Sequence, residues 1–275
     1  MTGSSWASSS GEAVTATDLN TDRPHTARMY DYYLGGKDNF PADREAAEAA
    51  LAAFPNLATA ALENRAFLHR VVRFLASEAG IRQFLDIGTG IPTSPNLHEV
   101  AQGIAPDARI VYADNDPLVL AHARALLTSS REGRTAYVDA DLREVDRIMT
   151  GAAEALDLTQ PVAVSLIAIL HFLPEEDDPY GIVQRLMDQL PPRSYLTVTH
   201  ITADFDPNVS KAAEVYRERG ISTQARSRDE VARFFDGLDL VEPDLQVVHR
   251  WRPDGSVGEL TDAHVSVYGA AARKP

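Results

Sequence analysis

A turn with two glycines, placed between an apolar segment and the first residues of a helix, limits most strongly what this chain can fold into. The segment from Phe84 to Ser94 reads FLDIGTGIPTS, and its apolar part reaches Asp86 before the chain turns through Gly88 and Gly90. In doubly wound α/β proteins, a strand, a tight glycine turn and a helix amino end form a cradle for a nucleotide cofactor. The segment therefore predicts a cofactor site at the carboxyl end of a parallel strand.

A second apolar segment, 109–113, ends in Asp114, 24 residues after Gly90. An acidic side chain at this distance can accept hydrogen bonds from both ribose hydroxyls of an adenosine. Asn115 and Asp116 follow, and Asp116 is as well suited to capping the next helix as to binding a ligand. Asp114 is therefore the predicted ribose ligand, with Asn115 beside it.

The glycine pattern disfavours a dinucleotide. Thr93 stands where a third glycine would leave the helix amino end open to pyrophosphate, and prolines flank it at positions 92 and 95. S-adenosylmethionine carries adenosine and an amino-acid tail but no phosphates, so it suits this turn better than NAD. Asp86 and the backbone through Gly88, Thr89 and Gly90 are expected to face the cationic amino-acid end of that cofactor.

Strands and helices alternate along the rest of the chain, which predicts parallel strands with helices on both faces. Before the first strand, helices are predicted at 26–34, from about 41, and at 57–77. The predicted order then runs strand 83–87, helix 95–102, strand 109–113, helix 117–128, strand 135–138, helix 143–150, strand 162–170, helix 178–190 and strand 195–201. Helices near 208–219 and 228–235 and strands at 245–249 and 263–268 complete the chain.

Several segments together resemble a known family. DIGTG with Asp114 is similar to motif I and the acidic ribose ligand of class I S-adenosylmethionine-dependent methyltransferases. More narrowly, four segments resemble a group of uncharacterised actinobacterial proteins called S-adenosyl methyltransferases. These segments are RPHTARMYDYYLGGKDNFPAD (23–43), ENRAFLHRVVRFL (63–75), FLDIGTGIPTSPNLHEVAQ and VYADNDPLVLAHARALL. The likeness runs from about residue 22 to the carboxyl end.

This resemblance implies an α/β fold with a Rossmann-like, seven-stranded methyltransferase sheet, mostly parallel, preceded by an N-terminal helical extension. It implies that the tail supplies an antiparallel hairpin that closes the sheet. It also places Asp141 near the adenine amino group, with Leu142 as a backbone contact and Asp139 as the alternative after a slip of register. Either carboxylate could instead cap the next helix.

The chain is accordingly divided into a disordered leader (1–22), a helical lid or cap region (23–80) and the Rossmann-like domain (81–275). The leader is small and polar, with neither the basic start nor the apolar middle of a secretion signal, so a cytoplasmic protein is expected. No apolar run approaches the ~18 residues of a membrane helix. The oligomeric state is left open.

Candidates for catalysis and for the acceptor pocket lie outside the glycine turn. His171 follows the fourth predicted strand and could accept a proton, although the interpretation as a structural histidine ranks ahead of that role. In the segment YDYYLGGK, Tyr30 and Asp31 are catalytic candidates and Tyr33 and Lys37 are pocket candidates. The tyrosines could form a lid that excludes water or could staple an entry helix to the core.

Two further pocket candidates lie on the long helix predicted at 57–77. Asn64 falls on its apolar stripe, where a buried amide needs partners. Arg65 could clamp an acidic acceptor, but Arg65, Arg70 and Arg73 could instead form a solvated helix face.

The charge balance restricts the acceptor. Asp and Glu number 40 against 26 Lys and Arg, which gives a net charge of -14. Binding to a nucleic-acid backbone needs clustered positive charge, so a small-molecule acceptor is expected and a nucleic acid is not. The chain has no cysteine and no histidine pair at ligand spacing, so no metal site is predicted.

A methyltransferase acting on an unidentified small molecule by in-line transfer is therefore the first hypothesis. A non-catalytic S-adenosylmethionine sensor is the alternative, because no convincing acid-base pair is visible. An NAD-dependent oxidoreductase comes third, since Thr93 occupies the place of the third glycine.

Overall fold

The structure is a computed structural model that describes residues 20–126, 129–255 and 258–275. The predicted leader, 1–22, lies outside the described residues except for 20–22. The division of the chain at residues 22 and 80 stays a prediction.

Within the described residues, three helices precede the sheet: α1 (Thr26–Tyr33), α2 (Pro41–Ala53) and α3 (Leu57–Ser77). As the sequence predicts, glycine ends the first helix: Gly35 adopts a φ of +76°, a left-handed conformation that costs glycine little. Pro41 occupies the first turn of α2, where its missing N–H would be unpaired anyway. The predicted helical extension is confirmed.

In the part of the chain that the structure describes, the sheet has eight strands, and five of them run parallel. Their bounds are β1 (Gln83–Ile87), β2 (Arg109–Asp114), β3 (Arg134–Asp139), β4 (Ala163–Leu166), β5 (Tyr195–Ile201), β6 (Asp239–Leu240), β7 (Gln246–Val247) and β8 (Val267–Arg273). The order across the sheet is β3, β2, β1, β4, β5, β8 and β6, with β7 also paired to β8. Strand β8 is antiparallel to β5.

Helices connect the strands and cover the sheet, as the alternating pattern predicts. They are α4 (Leu97–Ile104), α5 (Pro117–Leu126), α6 (Val145–Ala153), α7 (Pro179–Asp188), α8 (Asn208–Glu218), α9 (Arg228–Ala232) and α10 (Asp262–Val265). Strands β1 and β4 are buried along their whole length, as parallel strands covered on both faces should be. No helix in the described part of the chain is long and apolar enough to cross a membrane.

The count of eight strands rather than seven has a local cause. Strands β6 and β7 pair with the same edge of β8, Leu240 opposite Ala272 and Gln246 opposite Gly269. The chain between them contains Pro243, which has no N–H to donate to a ladder, so one edge strand is split into two short pieces. The sheet otherwise has the predicted Rossmann-like architecture.

Some predicted boundaries are wrong. Strand β4 ends at Leu166 rather than at residue 170, because Ala168 adopts a φ of +55° and turns the chain towards a short 3-10 helix at Leu170–Phe172. Helix α4 begins at Leu97 rather than at residue 95. The strand predicted at 263–268 lies at Val267–Arg273, and the residues before it form α10.

Candidate active site

One cavity of about 260 Å³ lies at the carboxyl ends of the parallel strands and extends beneath the N-terminal helices. All eight predicted cofactor contacts line it: Asp86, Gly88, Thr89, Gly90, Asp114, Asn115, Asp141 and Leu142. Four predicted catalytic or acceptor residues line it as well: Tyr30, Tyr33, Asn64 and His171. The sheet and the helical extension therefore contribute to one shared site.

The glycine turn has the close approaches that only glycine allows. Gly88 has a φ of +73°, and a Cβ atom there would lie 2.7 Å from the side chain of Ile169. Its N–H donates to the carbonyl of Ala113 at 2.8 Å, which ties the turn to β2. Gly90, at a φ of +69°, has no heavy atom within 4 Å of its Cβ position, so the cradle is open on this side.

Asp114 lies at the end of β2 and holds the turn. Its Oδ2 accepts a hydrogen bond from the N–H of Gly90 at 2.9 Å, and its Oδ1 accepts one from the N–H of Asp116 at 2.9 Å. Each carboxylate oxygen has a second lone pair, so two further donors such as ribose hydroxyls can still bind. Burial raises the pKa of the Asp114 carboxyl, and the two N–H donors oppose that rise.

Asp86, at the end of β1, is a buried carboxylate without a donor. It is 6% exposed, and no described residue donates a hydrogen bond to its side chain. Burial raises the pKa of its carboxyl to about 7, Arg65 opposes the rise and Asp114 adds to it. A buried carboxylate in this condition suits a cationic group of a bound molecule.

Asp116 is a cap rather than a cavity residue. Its Oδ1 accepts from the N–H of Leu118 at 2.8 Å, and its Oδ2 lies 3.0 Å from Nδ1 of His25. Sequence reasoning missed His25, which lines the cavity just before α1. The contact therefore ties the start of α1 to the loop that follows Asp114.

Asp141, and not Asp139, reaches the cavity after β3. Its Oδ2 accepts from Nδ2 of Asn115 at 2.8 Å, and its Oδ1 accepts from the N–H of Arg143 at 2.9 Å. Arg143 also forms an ion pair with Asp177, with an N–O distance of 2.6 Å. Asp139 is exposed and borders a separate surface depression. The carboxylate of Asp141 is thus held in place beside the cavity.

The amino end of α4 is closed to phosphate. The N–H of Thr93 donates to Oδ1 of Asn96 at 3.0 Å, and the carboxylate of Glu99 accepts from the N–H of Asn96. A carboxylate at a helix amino end takes the place that a pyrophosphate would need. This geometry agrees with the argument from Thr93 against a nicotinamide dinucleotide.

Arg65 was predicted to line the acceptor pocket, but its side chain does not face the cavity. Its guanidinium donates to the carbonyls of Thr93 and Pro95, the latter at 2.9 Å. His69, one turn further along α3, also lies 2.9 Å from the carbonyl of Pro95. Arg65 therefore stabilises the turn after Gly90 and is not placed to clamp an acceptor.

The structure does not place Asp31 and Lys37 at the cavity either. Oδ2 of Asp31 accepts from the N–H of Asp38 at 2.9 Å and from Nδ2 of Asn39 at 2.8 Å, so this carboxylate organises the loop after α1. A Cβ at Gly36 would overlap the Asp31 carboxylate, which explains the second glycine of the pair. Lys37 is exposed to solvent.

Two tyrosines of α1 both anchor this helix to its neighbours and cover the cavity, the two roles predicted as alternatives. The hydroxyl of Tyr30 donates to the carbonyl of Ala61 at 3.0 Å and accepts from Nδ2 of Asn64 at 2.8 Å. The hydroxyls of Tyr33 and Tyr216 lie 2.8 Å apart, which joins α1 to α8. Both rings line the cavity, so the residues that anchor the helix also cover the site.

His171 is buried and deprotonated. Burial and the charge of Arg226 lower the pKa of its imidazole to about 3. Its side chain has no hydrogen-bond partner among the described residues, and Nδ1 is fully covered. His171 is therefore a neutral polar group in the cavity wall at physiological pH.

Arg226 and His200, which sequence reasoning missed, fix the segment that carries His171. Arg226 is 1% exposed and donates to the carbonyls of Leu170 and Leu173 at 3.1 and 3.0 Å. It also lies 2.9 Å from Nε2 of His200, which must accept because a guanidinium has only donors. No sequence motif marks either residue, since their role depends on long-range contacts.

Comparisons with known proteins agree with this geometry. The family model described as S-adenosyl methyltransferase matches residues 12–275. The chain belongs to the S-adenosyl methyltransferase family. It is an S-adenosylmethionine-dependent methyltransferase, as the glycine turn and Asp114 predict.

Solved structures give the same result. A DUF574 family protein of Streptomyces avermitilis is 49% identical, with a TM-score of 0.92 over 94% of this chain and 100% of its own. A structure from Thermobifida fusca is 39% identical, with a TM-score of 0.87 over 96% of this chain and 99% of its own. An O-methyltransferase family protein of Burkholderia thailandensis, 14% identical, shares the fold with a TM-score of 0.52 over 80% of this chain and 58% of its own. None of the curated proteins matches the methyltransferase.

Proposed function

We propose that this methyltransferase acts on a small-molecule acceptor that enters the apolar end of the same cavity and meets the cofactor in line. The observation that carries the proposal is the continuity of the cavity. It joins the carboxylates of Asp86 and Asp114 to a wall of apolar side chains from α1, α3 and α8. An acceptor and a cofactor in one enclosed space can be held in reacting order.

The residues at the sheet fit S-adenosylmethionine. Asp114 keeps lone pairs for the ribose hydroxyls, Asp86 offers an unpartnered carboxylate to the amino group, and the open face of Gly90 leaves space between them. Asp141 and the backbone of Leu142 would lie next to the adenine. When bound, the cofactor supplies an electrophilic methyl group on a sulfonium.

The residues of the chain would hold the acceptor and the cofactor in position and would exclude water from the site. Methyl transfer from a sulfonium needs an aligned nucleophile and an appropriate field more than covalent assistance. The tyrosines of α1 exclude water from the acceptor end. With a pKa of about 3, His171 is a weak base, so we do not assign it to proton abstraction.

A small acceptor is also supported by charge. The cavity is lined by three carboxylates and one guanidinium, that of Arg143, which is already paired with Asp141 and Asp177. A nucleic-acid backbone would require a continuous positive surface at the cavity mouth. The acidic chain as a whole would repel such a backbone.

Calorimetry with S-adenosylhomocysteine tests the cofactor site. Wild-type protein should bind it, and Asp114→Ala should weaken binding by at least about tenfold because both ribose hydrogen bonds are lost. Asp139→Ala, a change at an exposed carboxylate outside the cavity, is the matched control and should bind normally. Equal binding by wild type and Asp114→Ala would refute the assignment.

A methyl-transfer assay with S-adenosylmethionine then separates the enzyme from the alternative of a non-catalytic sensor. Steady formation of S-adenosylhomocysteine with members of a panel of neutral small molecules supports the proposal. Cofactor binding without turnover across the panel would favour the sensor.

A further inference from the structure

The end of the cavity away from the sheet is neutral. Residues of α1, α3 and α8 and of the segment after β4 pack together there: Tyr30, Tyr33, Leu57, Ala61, Phe172 and Tyr216. We call this set the acceptor wall. Its members carry no formal charge, and the described carboxylates and guanidinium that line the cavity come from the ends of β1 and β2 and from the loop after β3. A charged acceptor would lose its hydration here without gaining a partner.

The amide of Asn64 lies against the acceptor wall, and its orientation is fixed by Tyr30. The single hydroxyl proton of Tyr30 is donated to the carbonyl of Ala61 at 3.0 Å. The hydroxyl oxygen can therefore only accept from Asn64, and it does so from Nδ2 at 2.8 Å. With the hydroxyl proton assigned to Ala61, Nδ2 of Asn64 faces Tyr30 and Oδ1 is the amide atom on the other side.

This chain of hydrogen bonds leaves one atom without a partner. Oδ1 of Asn64 is fully covered and accepts no hydrogen bond from any described residue, while the residue itself is 2% exposed and lines the cavity. A buried carbonyl oxygen that lacks a donor is unfavourable, and the fixed Nδ2 prevents the amide from turning to find one. A donor on a bound molecule would satisfy it.

We propose that the acceptor is a neutral, mainly apolar molecule that donates a hydroxyl or N–H hydrogen bond to Oδ1 of Asn64, with Tyr30 as the residue that orients this amide. The inference rests on the proposed function, because it assigns the acceptor end of the same cavity. Asn64 is thereby a specificity-determining residue: it favours a molecule with a donor over one of the same shape without it.

Phenol, toluene and benzoate test the inference because they share a ring and differ in one group. Calorimetry first establishes that S-adenosylhomocysteine saturates the protein. NMR titration of the saturated protein should then show phenol binding at least about fivefold more tightly than toluene. This ratio is expected when one buried oxygen, Oδ1 of Asn64, gains a hydrogen bond. A purely apolar wall would favour toluene, because its methyl group is less well hydrated than a hydroxyl. Benzoate should bind more weakly than both.

Two variants connect the preference to the amide. Asn64→Leu, of similar volume, should bind S-adenosylhomocysteine as the wild type does and should prefer toluene. Tyr30→Phe should reduce the preference for phenol, because Asn64 then lacks the contact that fixes its amide. Tyr32→Phe is the control, since the Tyr32 hydroxyl bonds Glu48 at the surface and should not matter.

Each other outcome counts against the inference. Toluene or benzoate binding wild type as tightly as phenol would overturn it, and so would the absence of binding by all three. A preference for phenol that survives in Asn64→Leu would mean that the phenol hydroxyl donates to another group, such as His171. Loss of S-adenosylhomocysteine binding in Asn64→Leu alone would mean that the amide serves the cofactor. If wild type itself fails to bind S-adenosylhomocysteine, the proposed function fails first.

Discussion

Replacing Asp86 with asparagine should stabilise the ligand-free protein and weaken its binding of cofactor. The Asp86 carboxyl is 6% exposed and has no donor among the described residues, so ionising it in the folded protein is unfavourable. Asparagine has the same shape and no charge. The perturbation therefore removes an electrostatic cost of folding together with the group proposed to hold the cationic end of the ligand.

The size of the effect follows from the two pKa values of the carboxyl. Burial raises the pKa from 3.8 to about 7 in the folded protein. Below pH 3.8 the Asp86 carboxyl is protonated in both the folded and the unfolded state, so no stability is lost. Between pH 3.8 and 7 it ionises only in the unfolded chain, so the free energy of unfolding falls as pH rises. Above pH 7 it ionises in both states and the loss levels off. Each tenfold change in proton affinity is worth about 1.4 kcal/mol, which gives a total loss of about 4 kcal/mol, with about 2.5 kcal/mol of it between pH 5 and pH 8.

Urea denaturation of wild type and Asp86→Asn at pH 5, 6, 7 and 8 measures this loss. The advantage of Asp86→Asn should grow by about 2.5 kcal/mol across the series. Asp139→Asn, which removes an exposed carboxylate, should follow wild type. Parallel stability curves for wild type and Asp86→Asn would refute the claim that burial keeps the Asp86 carboxyl protonated.

The same titration predicts the pH dependence of binding. If a cationic group binds only the ionised carboxylate, the affinity of wild type for S-adenosylhomocysteine should rise about eightfold from pH 6 to pH 7.5. Asp114, whose pKa burial also raises, acts in the same direction. Asp86→Asn should bind more weakly at pH 7.5 and show a flatter profile. If the affinity of Asp86→Asn depended on pH as that of wild type does, Asp86 would not contact the cationic group of the ligand.

Three further predictions concern the backbone around the cavity. Gly88→Ala should destabilise the protein by more than Gly90→Ala, because both positions pay about 1 to 2 kcal/mol for a positive φ but only Gly88 also meets Ile169. Ala168→Gly should raise the unfolding free energy by up to about 1 kcal/mol, since Ala168 adopts a φ of +55°. Arg226→Met should cost about 3 kcal/mol or more, because the carbonyls that this buried guanidinium satisfies lose their donor.

Urea denaturation at one pH measures all of these changes. Equal costs at the two glycines would mean that Ile169 moves away freely. A lower stability of Ala168→Gly would mean that the flexibility of glycine in the unfolded chain outweighs the relief of strain. A cost of less than about 1 kcal/mol for Arg226→Met would mean that water replaces the guanidinium.

The cofactor end of the site could be predicted from the sequence because short segments determine it. Gly88, Gly90 and Asp114 lie within a single strand, turn, helix and strand unit, and the hydrogen bond from Gly90 to Asp114 spans only 24 residues. Local rules for glycine conformation and for strand ends apply at this range. Both strands that carry these residues begin where the sequence predicts, and every predicted cofactor contact lines the cavity.

The wrong predictions depend on contacts that a sequence pattern does not reveal. Arg65 and Asp31 carry the charges expected of a ligand clamp and a catalytic group, but Arg65 bonds backbone carbonyls and Asp31 bonds a backbone N–H and the Asn39 side chain of nearby loops. Strand β4 was predicted too long because the apolar run continues past Leu166, while the left-handed turn at Ala168 has no glycine to mark it. Periodicity records burial and not the direction of the backbone.

The proposed acceptor end depends on contacts between residues far apart in the sequence. Tyr33 meets Tyr216 across 183 residues, and Arg226 holds the segment after β4 from 53 and 56 residues away. These contacts, rather than the glycine turn, determine the shape and polarity of the part of the cavity that we propose for the acceptor. Substitutions in α1, α3 and α8 can therefore change which acceptor fits while the ends of β1 and β2 keep their geometry. Acceptor preference and cofactor affinity should for this reason respond to different sets of variants, and a variant of the acceptor wall that altered both equally would contradict this division.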